Sequence, residues 1–167
     1  MAELEASQKE ALKLFREGAE RLEELVTGLS DKELDYNEAP GEWTIRQIVH
    51  HVAEDGDAMS MIFKKAIAIP GAPVRFEGFP GNEAWADALA FERRPIQTSL
   101  ALLKAHRQVM AELAERFADD WEQSVIIVDS DGKELQKVSA GQIIKMLGEH
   151  MEEHIAKIEE IKKIHGI

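Results

Sequence analysis

The sequence predicts an all-α protein, a four-helix bundle with a small β-hairpin before the last helix. Four long segments repeat apolar residues at the helical period of about 3.6 residues, the pattern of helices that bury one face. Two of these segments start with a capping box, in which Ser or Thr is followed three residues later by Gln. A β-branched run lies on one side of a turn that contains Gly132, which indicates the hairpin. Helices of this number and length favour a bundle.

The first helix is expected over residues 4–27, because its apolar residues follow the helical period and Gly28 is placed to end it. A short helical turn should follow within residues 30–37. Ser30 and Glu33 have the spacing of a capping box, which predicts that this turn begins at Ser30.

The second long helix is expected over residues 45–69. Thr44 and Gln47 form a capping box at its start. Trp43 and Ile48 occupy the two positions of a hydrophobic staple, so packing and hydrogen bonds should fix the same helix end.

The segment 70–81 is rich in Pro and Gly and is predicted to be a loop. It carries Phe76 and Phe79, and a short helix capped by Asn82 should follow and carry Trp85. These aromatic residues are candidates to line a substrate pocket. Filling one end of the bundle is an equal alternative for each of them.

A third long helix should follow Pro95, with His106 on its inner face. After it, residues 125–128 and 135–138 are predicted to pair as the hairpin. The hairpin leads directly into the last helix.

The last helix, over residues 139–165, carries a candidate metal-binding pair, His150 and His154. Ser139 and Gln142 form the second capping box at its start. Two histidines four residues apart lie on one helix face and can reach a single ion. A rotation of about 100° per residue places both on the apolar face, so they need a buried partner from elsewhere in the chain.

The second helix offers that partner in His51, which the same rotation places beside the apolar stripe. His50 should project to the opposite side as a surface residue. Asp55 lies one turn beyond His51 and is a weak candidate to orient it or to act as a base, although a solvated carboxylate is the favoured interpretation. His106 is favoured as a packed or supporting histidine over a fourth ligand, and His165 as a terminal residue.

Composition excludes several function classes. The chain has 167 residues, of which 44% are hydrophobic, and this length favours a single domain over residues 1–167. A net charge of −12 argues against nucleic-acid partners, and no apolar run reaches the roughly 20 residues of a membrane span. The acidic, polar first ten residues do not resemble a signal peptide, so a soluble cytoplasmic protein is expected. Because the chain has no cysteine, any sulfur chemistry must come from a co-substrate.

Residues 42–52 (EWTIRQIVHHV), followed far downstream by residues 150–154 (HMEEH), resemble the DinB/YfiT-like superfamily. The resemblance extends over nearly the whole chain. It implies a four-helix bundle and a divalent metal ion bound by three histidines, which correspond here to His51, His150 and His154. It also implies dimers, and relatives that are thiol-dependent transferases, isomerases or hydrolases beside many without an assigned activity.

Two functional hypotheses follow. Three nitrogen donors leave a coordination position open, which is typical of a catalytic site, and imidazoles suit zinc, nickel, iron or copper. The first hypothesis is an enzyme that activates a low-molecular-weight thiol or water against a small electrophilic substrate. The second is a non-catalytic metal-binding bundle that acts as a sensor, buffer or interaction module. Histidines that are hydrogen-bonded in the core without any metal are a further alternative, and a homodimer is the expected assembly.

Overall fold

The computed structural model describes residues 3–76 and 79–167 and confirms a mainly helical bundle with a small sheet. The helices are α1 (Ala6–Val26), α2 (Asp31–Leu34), α3 (Ile45–Ala68), α4 (Asn82–Ala88), α5 (Gln97–Arg116) and α6 (Ala140–His165), and the strands are β1 (Pro73–Val74), β2 (Ser124–Val128) and β3 (Glu134–Ser139). The long helices α1 and α3 each pack against both α5 and α6, which closes the bundle. Within the described residues, no helix combines the length and apolar character that a bilayer span requires.

Three predicted helix starts are confirmed by their capping boxes. Ser30, Thr44 and Ser139 are the N-caps of α2, α3 and α6, and each side chain accepts a hydrogen bond from the third residue of its helix. The prediction for α4 is wrong in one detail, because its N-cap is Gly81 and Asn82 is already helical. The chain enters α4 with a φ of 94° at Gly81, a conformation that favours glycine.

The hairpin of β2 and β3 is antiparallel, as predicted, and it has a register shift between Ile127 and Val128. A third strand, β1, adds parallel to β2 by pairing Pro73 and Val74 with Ile126 and Ile127. This strand comes from the segment 70–81, which was predicted to be entirely loop. Two residues of that segment, 77 and 78, lie outside the described part of the chain, as do residues 1 and 2.

The buried apolar side chains form two clusters along the bundle axis. One cluster lies at the sheet end and includes Phe15, Phe63 and Leu147, and the other lies towards α2 and includes Leu22, Ile48 and Met151. Leu147 and Met151 are one turn apart on α6. The predicted histidine pair therefore starts, at His150, where the two clusters meet.

Arg107 of α5 connects three helices at the centre of the bundle. Its guanidinium is buried, and it donates hydrogen bonds to the carbonyl oxygens of Phe15 in α1 and, at 2.8 Å, Leu147 in α6. Burial lowers the pKa of Arg107 to about 10, so this side chain keeps its charge at neutral pH. Close beside it, Gly18 lets α1 approach Met151 of α6, because a Cβ atom at this glycine would lie 2.7 Å from the methionine Cγ.

Candidate metal centre

The two helices that carry the candidate ligands have firmly fixed starts. At α3, the Thr44 amide donates to Gln47 Oε1 at 2.9 Å, and the Gln47 amide donates to Thr44 Oγ1 at 3.2 Å. The equivalent distances between Ser139 and Gln142 at α6 are 2.8 and 3.2 Å. These reciprocal bonds hold the axial position of each helix, and so they hold the histidines that follow.

The structure brings His51, His150 and His154 together. His150 Nε2 lies 3.2 Å from His51 Nε2 and 3.2 Å from His154 Nε2. One ring nitrogen from each of the three histidines lies within 4.8 Å of the others. Among the residues that the structure describes, these three therefore form a cluster that could hold a metal ion.

The donor spacing fits a divalent ion. Two nitrogen ligands about 2.0–2.1 Å from a tetrahedral ion are about 3.3 Å apart, close to the observed 3.2 Å. A cation at the point where the Nε2 atoms converge would satisfy the lone pairs of all three rings.

Burial keeps two of these histidines neutral. Removal from water, reinforced by the two neighbouring imidazoles, lowers the pKa of His154 to about 4. Burial likewise lowers the pKa of His51, although the nearby carboxylate of Asp55 opposes the shift. At neutral pH both rings therefore present the lone pairs that metal binding requires.

The third histidine differs because acidic groups surround it. Its contact with Asp55 raises the pKa of His150 above the ordinary value. Glu153, one turn along α6, has its Oε2 atom 3.7 Å from His150 Nδ1. Both ring nitrogens of His150 thus face a carboxylate, Nδ1 that of Glu153 and Nε2 that of Asp55, and the one at Nδ1 would support the tautomer in which Nε2 is a ligand. Glu153 was not predicted from the sequence, although its spacing of three residues from His150 was a signal for it.

Asp55 lies at the cluster rather than on a solvated flank. Its Oδ2 atom is 3.1 Å from His150 Nε2 and 3.3 Å from His51 Nε2, and about a third of its side chain is exposed. The sequence analysis favoured a solvated carboxylate for Asp55. The structure corrects this interpretation, because the carboxylate contacts two of the three histidines. A carboxylate that contacts the donor nitrogens and still reaches solvent can accept a proton or donate an oxygen ligand.

Trp43 covers the His51 ring, with the two rings edge to face and their centroids 4.7 Å apart. The loop that carries Trp43 is held against α6 by Lys157, whose Nζ atom donates to Glu42 Oε2 at 2.9 Å. Lys157 lies one turn beyond His154. The edge-to-face contact with Trp43 therefore helps to fix the orientation of the His51 ring.

His50 is the clearest error of the sequence analysis, which placed it on the surface. Its side chain is fully buried, and its ring packs on Phe91 with centroids 5.3 Å apart. Nδ1 lies 2.8 Å from Ser99 Oγ, and Nε2 lies 3.1 Å from the carbonyl oxygen of Arg94. The rotation count assumed that α3 has a single buried face. In the structure α3 is buried on two sides at this point, because α5 and the segment that precedes α5 cover the face that carries His50.

The remaining histidines stand apart from the cluster. His106 Nε2 lies 3.4 Å from Asp57 Oδ1, so this residue packs between α5 and α3. This position agrees with the interpretation of His106 as a packed histidine and not as a fourth ligand. The ring of His165 stacks on Tyr36 with centroids 4.1 Å apart, and its Nε2 lies 2.9 Å from the Asn37 carbonyl oxygen. This contact closes the end of α6 onto the loop before α3.

A cavity of 840 Å³ opens beside the cluster at His51. Its wall includes the aromatic residues predicted for a pocket, Phe76, Phe79 and Trp85, and the rings of Phe79 and Trp85 are 5.8 Å apart. All three are partly exposed, so they do not fill the bundle end. The walls also carry His51, Arg75, Asn82 and three carboxylates, from Glu54, Asp55 and Asp57. A cavity with a mainly apolar surface and some polar groups is typical of a small-molecule site.

This combination of bundle and three-histidine cluster defines a class of metal-binding helical proteins. The chain belongs to the DinB superfamily, whose family model matches residues 14–158. The family resemblance seen in the sequence is thereby confirmed.

Curated relatives from three bacteria are named "Putative metal-dependent hydrolase". The protein from Oceanobacillus iheyensis is 27% identical over 150 residues, covering 90% of this chain and 82% of its own. The protein from Bacillus pumilus is 28% identical, covering 86% and 78%. The protein from Geobacillus thermodenitrificans is 26% identical, covering 95% and 85%.

Two solved structures share the fold. YfiT from Bacillus subtilis, described as "a probable metal-dependent hydrolase with an unusual four-helix bundle topology", superposes with a TM-score of 0.83 at 21% identity and covers 99% of this chain and 92% of YfiT. The mycothiol-dependent maleylpyruvate isomerase superposes with a TM-score of 0.62 at 20% identity. This chain is covered over 90% of its length in that match, which spans 60% of the isomerase.

Proposed function

We propose that this protein is a metal-dependent enzyme that uses a low-molecular-weight thiol or water against a small electrophilic substrate. In this proposal His51, His150 and His154 hold a divalent ion, and the substrate binds in the cavity beside His51. The observation that supports it best is the convergence of three histidines beside that cavity, in which His150 Nε2 lies 3.2 Å from the Nε2 atoms of both His51 and His154, a spacing that fits ligands of a divalent ion.

A divalent ion held by His51, His150 and His154 would supply Lewis acidity and would lower the pKa of a bound water molecule or thiol. Asp55 is the residue best placed to take up the released proton, because its Oδ2 atom lies next to two of the donor nitrogens and its side chain reaches solvent. The aromatic side chains of Phe76, Phe79 and Trp85 would hold the apolar part of the substrate and exclude water from it.

An external thiol is supported by composition and by fold. The chain has no cysteine, so a sulfur nucleophile can come only from a second molecule. The isomerase with a similar fold is named as mycothiol-dependent, and that name supports a thiol as one candidate nucleophile here. The hydrolase names of the curated relatives favour water as the other nucleophile.

The experiment that tests this proposal starts from metal content. Protein purified without a metal-binding affinity tag should contain zinc, nickel or iron, all of which accept imidazole donors. The loaded protein is then assayed with a panel of thiols, water-labile esters and electrophiles. Turnover above the rate of the free ion, lost in His154→Ala, is expected. A panel without any such rate contradicts the enzyme proposal.

The second candidate is a non-catalytic metal-binding bundle, and the position of Asp55 favours it. A carboxylate oxygen 3.1 and 3.3 Å from two donor nitrogens could become a fourth protein ligand and close the site. Cobalt-substituted protein separates the two candidates. If an added thiol changes the visible spectrum only in Asp55→Ala and never in the unmodified protein, the closed site is correct.

We also propose that residues 1–167 act as one domain and assemble as a homodimer. Leu102 and Val109, two turns apart on α5, expose apolar side chains on the outside of the bundle and would suit a self-association surface. Light scattering at micromolar concentration should give twice the monomer mass, and replacing both residues by Lys should restore the monomer.

A further inference from the structure

The cavity beside His51 is lined by two parts of the chain that differ in chemistry. One wall is formed by α3, and it runs from His51 at the histidine cluster to Met61. The other wall is formed by described residues of the segment 75–91, among them the partly exposed rings of Phe76, Phe79 and Trp85. A ligand in this cavity would therefore contact α3 on one side and aromatic rings on another.

The α3 wall carries negative charge. Three carboxylates line it, from Glu54, Asp55 and Asp57. The described lining has one guanidinium, that of Arg75. The Arg75 Nη2 atom lies at the hairpin turn, 3.1 Å from the position that a Cβ atom at Gly132 would take. Negative groups thus outnumber positive ones on this lining, which disfavours an anionic ligand and favours a cationic one.

The aromatic wall favours the same sign of ligand charge. The face of an aromatic ring is the negative side of its quadrupole, so it attracts a cation that lies within about 6 Å of the ring centre. The rings of Phe79 and Trp85 are 5.8 Å apart and tilted by 54°, so one cation can lie near both. Phe91 already has such a contact within the protein, because Arg94 Cζ lies 5.7 Å from its ring centre. Both walls therefore suit a positively charged group.

Two of the carboxylates lie at fixed positions beyond the histidine cluster. Glu54 and Asp57 follow His51 by three and six residues, which is about 4.5 and 9 Å along the helix axis. Arg94 Nη1 lies 3.7 Å from Glu54 Oε1, and His106 Nε2 lies 3.4 Å from Asp57 Oδ1. Both contacts are longer than a charge-assisted hydrogen bond. The two carboxylates can therefore pair with a cation that enters the cavity.

We infer that the substrate of this cavity is an organic cation, an apolar molecule whose ammonium group lies one to two helical turns from the group that reacts at the histidine cluster. The carboxylates of Glu54 and Asp57 pair with the ammonium group, and the rings of Phe79 and Trp85 cover it. This inference rests on the proposed function, because that function places the reacting group at the cluster. It adds the charge class of the substrate and the residues that select it.

The test compares two compounds of the same shape by titration calorimetry with the full-length protein at low ionic strength. The cation is (3-hydroxyphenyl)trimethylammonium, whose quaternary nitrogen has no lone pair for a metal ion. Its neutral isostere is 3-tert-butylphenol, in which carbon replaces the charged nitrogen. The cation should bind about tenfold more tightly, because ring faces and carboxylates both contribute. Each titration is repeated after EDTA treatment, so that recognition by the cavity is measured without any ion.

Recognition by the carboxylates is tested with a double variant that combines Glu54→Gln with Asp57→Asn. It should reduce the preference for the cation about three- to fivefold, since partly exposed charges each contribute little. The matched control combines Glu10→Gln with Glu24→Gln at two exposed positions of α1. It changes the net charge of the chain equally and should leave the preference within about twofold.

Recognition by the rings is tested with Trp85→Leu, which keeps an apolar side chain but removes the ring face. This variant should weaken the cation about threefold or more and leave the neutral isostere within about twofold. Phe79→Leu gives the same test if Trp85→Leu does not fold.

Equal affinity of the two compounds for the unmodified protein overturns the inference. It is also overturned by a preference that the double variant leaves unchanged, that the α1 control reduces as strongly, or that both ring variants retain. These failures leave the proposed function intact, because they do not involve the ion. A preference for the cation in protein that neither binds a divalent ion nor shows turnover is the reverse result. It refutes the proposed function and supports cation recognition by this cavity.

Discussion

The adjacent residues His50 and His51 should respond in opposite ways to replacement by alanine. Both side chains are buried, but His51 Nε2 faces the other candidate ligands whereas His50 bonds to Ser99 and Arg94. His51→Ala should abolish metal binding and leave the metal-free fold nearly intact. His50→Ala should keep the metal site and lose stability.

The size of the His50 effect follows from its contacts. Alanine would leave the Ser99 hydroxyl without its partner at 2.8 Å and would open a cavity beside Phe91. The Arg94 carbonyl oxygen would lose His50 but keep the hydrogen bond that Arg46 donates at 3.3 Å. The unmet hydroxyl costs about 1–3 kcal/mol and the cavity adds to it, so the total loss should be about 2–4 kcal/mol in the free energy of unfolding. His50→Asn keeps the reach to Ser99 and should lose about half as much.

Urea denaturation with and without added zinc measures both effects in one experiment. At a free ion concentration of about 100 times Kd, binding should stabilise the native state by about 2.7 kcal/mol. This increment should survive in His50→Ala and vanish in His51→Ala. Loss of the increment in both variants, or an unfolding free energy of His50→Ala equal to that of the unmodified protein, would refute this reading of α3.

Three further predictions concern pH, packing and the ligand pair. Burial lowers the pKa of His50, so the unfolded chain binds a proton at this histidine more readily than the folded protein does. The metal-free protein should therefore lose stability as the pH falls below about 6.5. Urea denaturation midpoints measured in EDTA should show this loss, and their fall with pH should be less steep in His50→Asn. Gly18→Ala should cost about 1–3 kcal/mol in thermal unfolding because its Cβ would clash with Met151, whereas Gly148→Ala, whose contacts are an ordinary 3.5 Å, should not destabilise. His154→Ala should remain folded and show no zinc-dependent rise in Tm; an unchanged rise would exclude His154 as a ligand.

The sequence was sufficient for the features that depend on near neighbours in the chain. The capping boxes at Thr44 and Ser139 predicted the starts of α3 and α6, since those hydrogen bonds join residues only three apart. The spacing of His150 and His154 placed both rings on one face for the same reason. The hairpin was also predictable, because its turn directly follows the β-branched strand β2 in the chain.

Only the tertiary structure decided how many faces of each helix are buried. A rotation count can rank positions around α3, but it cannot show that α5 and the segment before it cover a second face, and this burial is what encloses His50. The same packing brings Asp55 to the donor nitrogens and opens the cavity beside His51. Strand β1 and the bonds of Arg107 across three helices likewise join residues far apart in the chain. These contacts depend on the distances and angles between helices, and periodicity within one helix contains no information about them.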